Sequence, residues 1–224
     1  MAEEKEAPRI AFRQVCRVEQ FAAAFPQREE RATSPRRLAV LFPGFGYSCD
    51  KPLLHYARRA AEQAGCGVLP VLYPDALPVW DKQALARSVA DCLPPALAAA
   101  RGAVLAAREK YHGTELLFFS KSFGTVVAGA LSAQLQYRGV RNFYLTPLLQ
   151  TLPYMEAAPC AAAAGTADPY LPDGARRKMA ALPTVELHLC PGANHSLEVP
   201  GDAAASVQVL RSLVESYLYF LGDS

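Results

Sequence analysis

The stretch ELLFFSKSFGTVVAGAL, residues 115–131, passes from an apolar run into a glycine-marked helical pattern, with Ser122 held between the two. ELLFFS reads as a buried strand, and TVVAGALSAQLQ as a helix by its apolar spacing. A tight turn between two such elements needs small residues on either side, which Ser120 and Gly124 supply. Taken alone, the pattern also fits a serine that caps a helix.

The neighbouring segments repeat the alternation. RLAVLF (37–42) is a strand that stops at Pro43-Gly44, and a helix follows from about Lys51, with Asp50 as its expected cap and Leu53, Leu54, Ala57, Ala60 and Ala61 on one face. GVLPVLYP is the next strand. A long alanine-rich helical region runs from about Asp81 to Lys110, with a break expected at Pro94-Pro95. Beyond residue 136, RNFYLTP is a strand, PCAAAAGTAD a small-residue strand, DGARRKMAAL a short helix capped by Asp173, and TVELHLC a further strand. A closing amphipathic helix points Val207, Leu210, Leu213, Val214 and Tyr217 inward. Apolar strands separated by helices imply an α/β fold, a mostly parallel central sheet with helices on both faces. We expect one domain over 1–224, in which residues 1–36 form an N-terminal edge segment, read as a hairpin.

Composition excludes several classes. The 224 residues suffice for a sizeable core, and 51% hydrophobic with 20% charged residues argues against disorder or a coiled coil. A net charge of +2, with no basic stripe, does not point to nucleic acid. No apolar run reaches the roughly 20 residues of a membrane span, and the acidic start MAEEKEAPR is unlike a signal peptide, so a cytoplasmic protein is expected. The six cysteines are scattered and read mostly as free thiols. His188, Cys190 and His195 in HLCPGANH lack a fourth ligand nearby, so neither a metal nor a cofactor is expected.

In a parallel sheet, ligands sit beyond the carboxyl ends of the strands, where Ser122 lies. SKSFG fits the strand-turn-helix nucleophile elbow, G-x-S-x-G, with Ser120 in place of the first glycine. A serine nucleophile needs a base, and the base needs a partner that fixes its tautomer. Asp168 in GTADPY follows a strand, and His195 lies on a loop past the last one, giving the order Ser, Asp, His. Asp173, Asp202 and Glu198 are rivals for the acid. In LFPGFGYSCDKP, the Phe45 amide could join that of Phe123 as an oxyanion hole. Ser120, two residues earlier on an extended strand, should be buried in the sheet. His55, His112 and His188 read as structural, and Lys121 as solvated or paired at the turn, with a charge that assists a substrate as the lesser alternative.

The PGFGYS turn followed by DKPLLHYARR, the SKSFGT elbow, TPLLQT, GTADPY and NHSLE together resemble the α/β-hydrolase superfamily over roughly residues 37–224, and within it the small members without a cap domain. The resemblance implies a nucleophile at Ser122, an acid at Asp168, a base at His195, and hydrolysis of an ester, thioester or related acyl bond of a small substrate. Only LLQTLPYMEAA lies between Pro147 and the next strand near Pro159, too short for a lid. Apolar wall candidates are Phe45, Tyr47, Leu148, Leu149, Tyr170 and Leu197, with Gly44 beside them and Thr146 as a polar contact. Three other readings stay open: an acyltransferase using the same triad, a non-catalytic binding protein of the same fold, and a nucleotide binder suggested by G-x-G after a strand. The last lacks the third glycine, whose place is Cys49, and a well-placed acidic residue.

Overall fold

A computed structural model describes residues 36–75, 77–110 and 115–222. By contacts the chain divides into Met1–Ser34 and Pro35–Ser224, and every described residue belongs to the second unit. The hairpin expected in 1–36 and the position of His112 lie outside the described residues.

Six strands form one sheet: β1 (Arg37–Phe42), β2 (Gly67–Pro70), β3 (Glu115–Lys121), β4 (Val140–Leu145), β5 (Cys160–Gly165) and β6 (Val185–Cys190). All five pairings are parallel, in the order β2-β1-β3-β4-β5-β6. The reversal of chain direction across the sheet therefore falls between β1 and β3. That switch point is where a doubly wound sheet opens a crevice.

The helices are α1 (Pro52–Gln63), α2 (Leu85–Lys110), α3 (Phe123–Gln134), α4 (Leu152–Ala157), α5 (Asp173–Ala180) and α6 (Ala203–Leu221). Strand residues alternate between two cores, as a pleat of period two requires. Leu116 and Phe118 of β3 join α2, α3, α4 and α5 on one face, through Val89, Cys92, Val127, Met155 and Met179. Leu117 and Phe119 face the other way, against Leu54 and Ala57 of α1 and Leu213 and Tyr217 of α6. The second layer is held by the rings of Phe119, Phe143, Tyr217 and Phe220, in mutual contact at 5.1–6.0 Å. Burying each such ring or a leucine contributes about 1.5–3 kcal/mol.

Local readings fail where a cap or a proline is overruled by packing. Lys51, not Asp50, occupies the N-cap of α1, and no side chain caps it. Pro172, not Asp173, precedes α5; the Asp173 carboxylate turns instead to Arg176. Helix α2 continues through Pro94-Pro95. The carbonyls these prolines leave without donors belong to Ala90 and Asp91, both exposed, so water can bond them. Meanwhile the stripe Cys92, Ala96, Ala100 and Val104 holds the helix to the core. By length and hydropathy alone α2 would also qualify as a membrane span, which the sequence reading did not flag. Val207 of α6 is 66% exposed rather than inward, whereas Leu213 and Tyr217 are buried.

Candidate active site

The site is assembled from three strand ends. At the end of β3 the chain turns at Ser122, with φ 55° and ψ −120°, and enters α3 at once. The turn is tight because α3 starts against the end of β1: a Cβ at Gly124 would lie 2.3 Å from the Phe42 carbonyl oxygen. Ser122 stands at the N-cap of α3, yet its hydroxyl makes no capping bond. It meets His195 Nε2 at 2.8 Å instead. Thr125 secures the turn, its amide and its hydroxyl both donating to the Ser122 carbonyl, at 2.9 and 2.6 Å.

Past β5, Asp168 is buried and fully engaged. One carboxylate oxygen accepts from the Tyr170 amide at 2.9 Å, and the other lies 2.7 Å from His195 Nδ1. His195 sits on the loop after β6. That loop rests on the end of β5 so closely that a Cβ at Gly165 would lie 2.0 Å from the Ala193 carbonyl oxygen. Asn194 ties the loop, accepting from the Ser196 amide at 2.7 Å, and the Tyr170 ring packs edge-on against the imidazole at 4.7 Å. Burial lowers the His195 pKa, the bond to Asp168 raises it, and the charges of Lys121 and Lys82 lower it again; the net direction is below the ordinary histidine value. The imidazole is therefore neutral at neutral pH and able to take a proton from the Ser122 hydroxyl.

The rival acids are occupied elsewhere. Asp202 caps α6 by accepting from Ala205 N at 2.9 Å, Asp173 pairs with Arg176, and Glu198 is exposed. His188 bonds Ser212 at 3.1 Å, and Ser120 is buried in the sheet, as its extended-strand position requires.

A cleft of about 260 Å³ opens over Ser122 and His195. Phe45, Tyr47, Leu148 and Tyr170 line it. Neither the Phe45 amide nor the Phe123 amide is engaged in a hydrogen bond among the described residues. Gly44 lies against Ser122, while its own amide donates to the Tyr47 carbonyl at 3.0 Å. Thr146, Leu149 and Leu197 do not line the cleft. Thr146 is buried, Leu149 is exposed, and Leu197 packs into the core beside α6 because it shares the buried side of its loop with Ala193.

Sequence reasoning missed Trp80, Lys82, Leu85, Lys51 and Ser196, all of which line the cleft. Trp80 stacks on Phe45 at 4.1 Å and meets Phe123 edge-on at 5.4 Å, so the segment after β2 folds back over the elbow. Lys121 is corrected as well. It is neither solvated nor paired: it is only 2% exposed, forms no ion pair among the described residues, and lines the cleft. Its place in the last position of a strand buried on both faces was the available signal, since solvent does not reach a side chain there.

A parallel sheet in this order, with a serine at a strained strand-to-helix turn and helices on both faces, is the α/β-hydrolase fold, here without a cap domain. Solved structures agree. The chain is similar to a lidless α/β serine hydrolase from Xanthomonas campestris, at 16% identity over 85% of this chain and 83% of that one, with a TM-score of 0.58. A protein of unknown function from Agrobacterium tumefaciens, assigned to the α/β hydrolases, matches at 16% identity over 85% and 86%, TM-score 0.64. Est1E from Butyrivibrio proteoclasticus, solved with ferulic acid bound, matches at 13% identity over 87% and 91%, TM-score 0.62. No family model and no curated protein matches the sequence.

Proposed function

We propose that the protein is a serine hydrolase of carboxylesterase type, cleaving an ester, thioester or related acyl bond of a small substrate through an acyl-enzyme on Ser122. The observation that carries this reading is the unbroken chain of contacts from Ser122 Oγ to His195 Nε2, 2.8 Å, and from His195 Nδ1 to Asp168, 2.7 Å, built on a serine that does not cap its helix. Ser122 Oγ attacks the acyl carbon as its proton passes to His195 Nε2. Asp168 holds the imidazole in the tautomer that leaves Nε2 free to accept, and it stabilises the imidazolium. The carbonyl oxygen gains charge and is met by the Phe45 and Phe123 amides. Collapse expels the alcohol or thiol, protonated by His195; water then attacks the acyl-enzyme with the same base and restores Ser122.

Labelling with a fluorophosphonate probe tests this directly. Wild-type protein should label, and Ser122→Ala should remain folded, fail to label, and lose esterase activity by about 10³-fold or more, because the triad acts as a unit. Asp168→Asn should lose most of the activity without unfolding. Equal labelling of wild type and Ser122→Ala would refute the assignment.

A further inference from the structure

The charged side chains that line the cleft among the described residues are cations. Lys51, Lys82 and Lys121 line it together with Ser122 and His195, and no aspartate or glutamate among the described residues does. Lys121 is the unusual member. Its ammonium is carried on a side chain 98% buried within the fold, beside the reacting serine, yet it has no carboxylate partner among the described residues. Asp168, whose field reaches Lys121, already spends its two oxygens on Tyr170 and His195. What Lys121 does have is the face of Tyr47, 5.0 Å from its ammonium, and Lys51 approaches the same ring at 5.4 Å. Tyr47 is itself fixed, its hydroxyl accepting from Leu53 N at 3.0 Å, so both cations pack on an anchored ring. Lys51 is further tied by donating to the Gly46 carbonyl at 2.5 Å.

Two cations on one ring repel, and burying one of them without a counter-charge is costly. Burial drives the Lys121 pKa down to about 7; Asp168 opposes the fall and Lys51 adds to it. An aromatic face recovers only part of that cost, whereas an anion in the cleft beside Lys121 would form a charge-assisted hydrogen bond with its buried ammonium. A neutral substrate would leave the ammonium with the Tyr47 face alone.

We infer that the Lys121 side of the cleft is a subsite for an anionic group, a carboxylate or a phosphate, carried by the acyl substrate. This rests on the serine-hydrolase reading, and it narrows the substrate to acyl compounds bearing a negative charge near the scissile bond. Lys121 makes the buried contact, while Lys51 and Lys82 at the mouth attract the charged substrate.

The single tryptophan of the chain, Trp80, lines the cleft and reports its occupancy. Inorganic phosphate and glutarate are titrated into the protein while Trp80 fluorescence is followed, with sodium chloride at matched ionic strength as reference. A saturable change beyond that of chloride is expected, with a Kd raised about tenfold or more in Lys121→Met, the loss of one charge-assisted contact. Binding should persist in Ser122→Ala, so a failed nucleophile and a failed subsite give different results. In parallel, kcat/KM is compared between monoaryl esters of dicarboxylic acids, succinate to suberate, and their terminal methyl esters, and between butyryl esters of glycerol 3-phosphate and of glycerol. A preference for the charged member in either pair, lost in Lys121→Met and expressed mainly in KM, supports the subsite and tells carboxylate from phosphate. No saturable binding, equal Kd in wild type and Lys121→Met, or a preference for the neutral member in both pairs overturns it.

Discussion

Ser122 holds φ 55° and ψ −120°, a conformation an L-residue adopts only when its surroundings enforce it, at a cost of about 1–3 kcal/mol. The return is a hydroxyl that a relaxed helix cap would turn toward its own backbone, here presented to His195. His195 and the charges around it set the pH dependence of the proposed reaction. Only neutral His195 can accept the serine proton, so protonation abolishes activity on the acid side. Burial holds its pKa below the ordinary value of about 6.5, with the Lys121 and Lys82 charges acting in the same direction and the Asp168 bond against them. The acid limb of kcat/KM should therefore lie below pH about 6.5. In Lys121→Met one positive charge beside the imidazole is gone, protonation becomes easier, and the limb should move to higher pH. A pH–rate profile of both proteins decides the matter: a wild-type limb above the ordinary histidine value would mean that the Asp168 bond outweighs burial.

At the scale of elements, the loops that carry the site are positioned by close backbone approaches as well as by their own hydrogen bonds. Gly165 is the clearest case, since a methyl group there would meet the carbonyl of Ala193 and push the segment that carries Asn194 and His195 away from β5. Gly165→Ala should lose about 1–3 kcal/mol, as overpacking does, and should depress kcat/KM out of proportion to the fraction unfolded. Gly102→Ala is the reference, for its Cβ meets nothing within 4 Å on helix α2. Urea unfolding beside esterase assays of both variants checks this, and full activity in Gly165→Ala would show that the His195 loop adapts. These approaches are also what the sequence conceals. RLAVLF and ELLFFS declare themselves as strands because both of their faces are buried, and Ser122, Asp168 and His195 fall at strand or loop ends that follow from the order of elements. Asp50 and Asp173 looked like helix caps because local propensity says so, but packing starts α1 and α5 without them. Trp80 and Lys82 were illegible for another reason: nothing in ALPVWDK shows that this segment crosses back over the elbow.

At the scale of the whole molecule, what covers the cleft decides which substrates fit. Between β4 and β5 the chain makes only a short 3₁₀ turn, Leu149–Thr151, and the six-residue α4, so no cap domain is inserted between these strands. Among the described residues the cover comes from the segment after β2, where Trp80 stacks on Phe45 and, with Leu85, lines a cleft of about 260 Å³. Each methylene of a neutral acyl chain that leaves water gains about 0.8 kcal/mol, but only while there is wall to receive it. A cleft this small saturates early, and methylenes beyond its rim stay in solvent and contribute nothing. With p-nitrophenyl esters from acetate to palmitate, kcat/KM should therefore rise over the first few carbons and then level off or fall. It should also show no jump as the long esters pass their micelle concentration, because no lid domain stands among the described residues to be opened by an interface. A rate that climbs steadily to palmitate would require a deep tunnel, and the Trp80 and Lys82 side chains that line the cleft would have to move aside to make it.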